Sequence, residues 1–257
     1  MAITAILSAL GEEQQGLIGQ LQDARRTERA GREFWLGTLH GQAVVLGLSR
    51  IGKVAAATTA TVLIEGFAVD RIVFTGVAGA LGDKVKVGDV VVATRFMQHD
   101  MDASPLFPRF EAPLYGRTVF DTDTGLTALL TDASRATLSD MAGGAGNQGA
   151  SAKPEVHLGL ICSGDRFVST TRAANALRQS LRAAGMQALA VEMEGAAVAQ
   201  VCHDYAVPFA AVRTMSDRAD DQAPGDFQHF VAHVASRYAM GIVERLMHAL
   251  ANNGATT

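Results

Sequence analysis

No apolar run in this 257-residue chain approaches the roughly 20 residues needed to cross a bilayer. Cysteine is nearly missing: Cys162 and Cys202 are too few for a disulfide framework and carry no C-x-x-C spacing, so a reducing compartment is expected. Neither sign of charge dominates. A formal net charge of -4 provides no basic footprint for nucleic acid or an anionic membrane, and neither is expected as a partner. Proline is scarce at 6 and the 26 glycines follow no collagen period. The first residues, Met1 to Leu7, lack the basic leader of a signal peptide and run into Glu12-Glu13, so a soluble cytoplasmic protein is expected. What the chain does have is apolar mass: 48% hydrophobic against 19% charged residues, enough for a sizeable core and incompatible with disorder.

Short β-rich runs alternate with longer helical ones. Ile3–Ser8 reads as a strand, followed by a helix from Glu12 to about Asp23, then strands near Phe34–Leu39 and Ala43–Leu48. Ala43-Val44-Val45-Leu46 shows no polar alternation, as in a strand covered on both faces. An alanine-rich helix is expected over Gly52–Glu65, with buried strands at Ile72–Phe74, Val90–Val92 and Leu158–Cys162. Ala188–Val191 reads as a strand turning into a helix whose one face carries Met193, Ala197, Val198, Val201, Cys202 and Tyr205. Pro208–Arg213 is the next strand. A long closing helix places Phe227, Phe230, Val231, Val234, Tyr238, Ile242 and Leu246 on one stripe. The pattern predicts a single α/β domain over residues 1–251 with a mixed, mostly parallel twisted sheet flanked by helices, and a flexible tail over 252–257. Ala142–Lys153 reads as a surface loop.

Familiar motifs are near misses. Gly76-Val77-Ala78-Gly79-Ala80-Leu81-Gly82 has the wrong spacing for a dinucleotide loop, and no ribose-binding acid follows. Gly47-Leu48-Ser49-Arg50-Ile51-Gly52 is one residue too long for a nucleophile elbow. His229 and His233 stand one helical turn apart without a third ligand, and His99-Asp100-Met101-Asp102 reads as a polar loop. No metal or organic cofactor is expected.

Acids at the ends of strands are the stronger signal, because α/β sheets bind ligands there. Glu12-Glu13 follows the first strand, Glu192-Met193-Glu194 joins a strand to its helix, and Ser216-Asp217 follows the strand holding Arg213. One acid at a first helical turn serves the helix dipole as readily as a substrate. Three such acids at strand ends point to chemistry.

Six segments in order carry a resemblance: Ser49–Ala57, Thr75–Gly79, Val87–Val91, Ser163–Phe167, Val191–Ala197 and Arg213–Asp217. Together they resemble the nucleoside phosphorylase and nucleosidase superfamily over nearly the whole chain. Within it, the chain is most similar to the 5'-methylthioadenosine/S-adenosylhomocysteine nucleosidases, which hydrolyse the N-glycosidic bond of adenine thionucleosides.

The resemblance implies a role for each acid. Asp217 would protonate the departing adenine, Glu13 would activate water, and Glu194 would hold the ribose hydroxyls with Met193 packed beside it. Phe167 would stack on the base, the backbone of Val168 would read its edge, and Arg213 would neutralise the acidic cluster. Glu192, Ser216, Val77, Ala78 and Gly79 would complete the substrate pocket. Leu10, Ile51 and Phe227 would line the 5'-alkylthio end, where burial is worth about 25 cal/mol per Å². A purine nucleoside phosphorylase is the alternative reading. Phe74 and Glu12-Glu13 argue against it, standing where phosphorylases keep an arginine and a glycine-rich anion-binding turn. A non-catalytic nucleoside sensor is a third reading. Arg50, Val77 and Gly11 depart from the nucleosidase pattern and leave the 5' preference open. The family also implies a homodimer in which the loop over residues 101–115 approaches the partner's active site.

Overall fold

The computed structural model describes residues 2–143 and 153–254. The expected surface loop at Ala142–Lys153 therefore lies almost wholly outside the described residues, as do residues 255–257 of the expected tail. The last helix extends to Gly254, into the start of that tail.

Among the described residues, eleven strands form one mixed sheet, with the two-residue β8 (Phe120–Asp121) at one edge. Its core starts from β1 (Thr4–Ser8), which pairs in parallel with β4 (Gln42–Leu48) and β5 (Arg71–Phe74). β11 (Phe209–Asp217) runs parallel to β5 and crosses into a second group made of β6 (Val77–Ala80), β10 (Ala188–Glu192), β9 (Val156–Ser163) and β7 (Val90–Gln98). Because β7 pairs back onto β11, these five strands close into a ring. β1, β4 and β11 are buried on both faces because helices cover both sides, which is why the apolar runs of β1 and β4 lack alternation.

Helices occupy the two flanks. α2 (Lys53–Phe67) and α5 (Gly195–Asp204) pack together over one face, with Ala56, Ala60, Leu63, Val198 and Cys202 in a common core. The other face is covered by α1 (Gly11–Ile18), α3 (Thr124–Gly143) and α7 (Ser236–Gly254), through Leu17, Leu130, Ile242, Val243 and Leu246. α4 (Thr171–Ala183) lies beside β9 and β10 and is capped by the Thr170 hydroxyl, which accepts the Ala173 N–H. No described helix is long and apolar enough to cross a membrane.

Several elements differ from the sequence reading, each for a local reason. The first helix ends at Ile18, and Gln22–Arg29 forms a strand, β2, at the sheet edge, paired antiparallel with β3 (Arg32–Leu39). β2 is solvated almost throughout, so it carries no apolar signal. The Gly-x-x-Gly segment is itself β6, too short and small-sided to read as a strand. α3 hides its buried face behind hydroxyls: Thr131, Ser134 and Thr137 donate to carbonyls one turn back. β11 continues through Ser216-Asp217 rather than stopping at Arg213. The closing helix is two α segments, α6 (Ala223–Phe230) and α7, joined by a π turn at Val231–Ala235. Met193 precedes α5, and Tyr205 is 41% exposed at its end, so neither belongs to the buried stripe of that helix.

Candidate active site

The carboxyl ends of β1, β4, β10 and β11, with the segments that follow them, surround one cleft of about 420 Å³. All fifteen residues singled out from the sequence line it: Asp217, Glu13, Glu194, Phe167, Val168, Met193, Glu192, Ser216, Arg213, Val77, Ala78, Gly79, Leu10, Ile51 and Phe227. Gly76, Arg166 and Val191, which belong to the segments carrying the resemblance, line it as well, as do Ala9, Pro224 and Gln228, which carry no sequence signal of their own.

Glu13 sits in the first turn of α1 and folds its side chain back over the helix start. One carboxylate oxygen, Oε2, accepts the backbone N–H groups of Ala9 and Leu10 at 2.9 and 3.0 Å. The other, Oε1, is buried over Gly76 and has no hydrogen-bond partner of good geometry among the described residues. Burial pushes this carboxyl up to about 7, against the pull of the Leu10 amide and Arg213. The backbone amides thus fix one oxygen and leave the other facing the cleft floor.

Glu192 and Glu194, two residues apart, do different work. Glu192 is consumed by the protein: it accepts the amides of Glu194 and Gly195 and the hydroxyl of Ser163, and pairs with Arg213 at 2.8 Å. Those contacts cap α5 and fill the carboxylate, so Glu192 shapes the cleft without a free oxygen to offer. Glu194 turns the other way and accepts the Gly52 N–H at 2.7 Å. Burial, reinforced by the nearby Glu192 charge, raises its carboxyl to about 8. Gly52 has φ +96, a conformation that places this amide where a side-chained residue would be strained.

Asp217 ends β11, where a bulge at Ser216 interrupts the register with β6 and re-aims the last side chain. Its carboxyl accepts the Ser216 hydroxyl and the Ala219 N–H, each at 2.8 Å. Burial raises its pKa, with those hydrogen bonds opposing. Gly79 makes the close approach feasible, since a Cβ there would stand 2.9 Å from Asp217 Oδ1.

Arg213 ties the acids together. It is buried, stacks 4.0 Å above the Phe74 ring, and donates to Glu192 and to the carbonyls of Phe74 and Val212. Three of its five N–H groups are thus directed to protein acceptors. Arg166 is exposed at the cleft mouth. The departure at Arg50 has a local explanation: with φ +63, its guanidinium bonds the Gly31 carbonyl and stays out of the cleft. Ser49 is no nucleophile, because its buried hydroxyl donates to the Arg50 carbonyl.

Apolar walls complete the cleft. Phe167 and Phe227 meet edge to face at 5.7 Å, and Ile51, Leu10 and Pro224 lie along the same opening. Phe227 thus faces the cleft rather than the core stripe of its helix. A buried floor of carboxyls under an aromatic mouth suits a ligand with a polar, hydroxylated middle and a flat apolar end.

A model of the phosphorylase superfamily matches residues 3–248. The 5'-methylthioadenosine/S-adenosylhomocysteine nucleosidase of Shewanella denitrificans is 35% identical over 243 residues, covering 94% of this chain and 97% of that protein. The corresponding protein of Lysinibacillus sphaericus is 34% identical, covering 96% of this chain and 99% of its own. Among solved structures, the nucleosidase from Neisseria meningitidis in complex with methylthio-immucillin-A superposes with a TM-score of 0.84 at 32% identity, covering 97% of this chain and 100% of that one. The nucleosidase from Streptococcus pneumoniae with a transition-state inhibitor gives a TM-score of 0.81 at 31% identity, covering 96% and 99%.

Proposed function

Because the chain belongs to the phosphorylase superfamily and, within it, to the 5'-methylthioadenosine/S-adenosylhomocysteine nucleosidases, we infer that it hydrolyses the N-glycosidic bond of adenine thionucleosides, releasing adenine and the 5-thioribose. One observation carries the chemistry: three carboxyls from distant parts of the chain, Glu13, Glu194 and Asp217, line the same cleft.

The roles we assign follow from their environments. Adenine is a poor anionic leaving group, so a proton must reach N7 as the C1'–N9 bond breaks. Burial favours the neutral form of Asp217, which suits it to donate that proton. The electron pair departs with the base and leaves positive charge on the ribosyl carbon. Water attacks that carbon and loses a proton to Glu13, whose Oε1 has no well-aligned partner among the described residues and whose carboxyl, raised to about 7, suits a general base. Glu194, anchored by Gly52, is placed to grip the 2'- and 3'-hydroxyls, and its raised pKa lets it give as well as accept a hydrogen bond. Phe167 offers a face for the purine, while Leu10, Ile51 and Phe227 take the 5'-alkylthio group.

Phosphorolysis is less well served. A phosphate dianion needs converging unpaired donors, and Arg213 already donates to Glu192 and two carbonyls. Incubation with 5'-methylthioadenosine, with and without phosphate, tests the reading: adenine and free sugar should form at equal rates in both. Sugar 1-phosphate formed only with phosphate would overturn it, and tight binding without adenine release would favour a sensor. S-adenosylhomocysteine and 5'-deoxyadenosine in the same assay rank the 5' groups.

A homodimer belongs to the same proposal, with the 101–115 loop reaching the partner's cleft. Phe110 and Ala112 root that loop on its own subunit, while Leu106 at 84% and Leu114 at 91% exposure project outward. A monomer mass by light scattering would sink it. Free, buried Cys162 and Cys202 fit a cytoplasmic location.

A further inference from the structure

At the end of the sheet opposite the cleft, two imidazoles and a carboxylate converge without any part in the chemistry above. His40 occupies the tight turn between β3 and β4, with φ +49, and is followed by Gly41 at φ +76. A two-residue hairpin of this hand demands positive φ at both positions. The turn aims the His40 ring at α7, where Glu244 and His248 stand four residues apart and so share one helix face.

We propose that His40, Glu244 and His248 form a binding site for a divalent ion of the zinc class, which clamps the β3–β4 hairpin to α7. One ligand atom from each residue lies within 4.8 Å of the other two. His40 Nε2 is 3.9 Å from Glu244 Oε1, too long for a hydrogen bond, and this buried atom has no hydrogen-bond partner among the described residues. The His40 and His248 rings lie 3.9 Å apart, centroid to centroid. A cation accepting a lone pair from each ring would hold both imidazoles and the carboxylate at once. Tetrahedral zinc with bonds near 2.0–2.1 Å separates its ligands by about 3.3 Å. Modest rotations of Glu244 and the exposed His248 would supply that difference.

The backbone under the site is already set. Leu39, next to His40, is buried in the same core as Leu246, Met247 and Leu250 of α7, so neither element must move to bring the ligands together. Two nitrogens and one oxygen select zinc, nickel or copper over magnesium and calcium, which prefer all-oxygen sites. Three protein ligands leave the fourth position to water. Six residue steps along β4 separate Gln42 from Leu48, so the site is about 20 Å from the cleft and acts as a clamp rather than in catalysis. Cys162 and Cys202 are buried and do not compete for the ion.

The test is titration of the chelator-treated full-length protein with zinc chloride, followed by calorimetry and by thermal unfolding. One equivalent should bind and raise the melting temperature, while magnesium should do neither. His248→Ala, at an exposed helix position, and His40→Asn, which keeps a residue tolerant of the left-handed turn, should each weaken zinc binding at least tenfold and abolish the thermal shift. Adenine release by both variants should match the parent protein. His203→Ala, outside the cluster, should bind zinc unchanged. Failure to bind one equivalent, or equal affinity in the parent and both cluster variants, would overturn the proposal.

Discussion

Replacing Glu13 with glutamine should make the protein more stable and inactive at once. A carboxyl that ionises at its ordinary 4.5 in the unfolded chain and at about 7 in the folded one resists ionisation in the native state. Between those pH values the native protein keeps a proton that the unfolded chain has released. Stability therefore declines as pH rises through that window and levels off above 7. The accumulated cost is about 3 kcal/mol, taking 1.36 kcal/mol for each pH unit. Glutamine has the same shape, its oxygen can still accept the Ala9 and Leu10 amides, and it never carries the charge. At pH 8 the Glu13→Gln variant should be the more stable by about 3 kcal/mol, or about 6–12 °C in melting temperature for a domain of this size. Near pH 4.5 the two proteins should melt together. Urea unfolding from pH 4.5 to 8, beside adenine release, reads both effects. Parallel stability curves across that range would refute the burial argument, and retained turnover would remove Glu13 from the mechanism.

Three further substitutions probe the remaining parts. Asp217→Asn removes the proton donor with little change of shape and should lower kcat for 5'-methylthioadenosine about 10²- to 10⁴-fold while substrate still binds; an unchanged rate would refute the assignment. Arg213→Leu would leave Glu192 buried without its partner and should cost about 3–5 kcal/mol in urea unfolding, against well under 1 kcal/mol if the pair is dispensable. Gly79→Ala brings a methyl to 2.9 Å from Asp217 Oδ1 and should lower kcat while leaving the folded state largely intact, as read by adenine release and near-ultraviolet circular dichroism.

What could be read in the sequence follows from how each residue meets solvent. Strands such as β1 and β4, covered on both faces, write themselves as apolar runs. β2, wet on both faces, leaves no such trace, and the local pattern instead extends the preceding helix to about Asp23. The three acids assigned to the chemistry are legible because strand ends are where this class of fold presents charge, and all three line the cleft. Their separate roles come from the family resemblance and not from the residue types. Glu192 and Glu194 look alike in sequence, and only the Arg213 pairing shows that one is spent inside the protein while the other faces Gly52. Phe227 fits a helix stripe in one dimension, yet its ring meets Phe167 across the cleft. The zinc-class cluster was invisible because a hairpin turn and the last helix come together only in the folded chain.

The outermost strand carries a consequence for life in a crowded solution. A sheet that stopped at β3 would present its backbone N–H and C=O groups beside Phe34, Trp35 and Leu36, an inviting template for another chain. Instead the last ribbon is Gln22–Arg29, where Asp23, Arg25, Arg26 and Glu28 are exposed to water. A neighbour docking edge-on would have to strip hydration from those ions before forming its first ladder bond. The same polarity that concealed β2 from a reading of the sequence thus guards the sheet against growing by accretion.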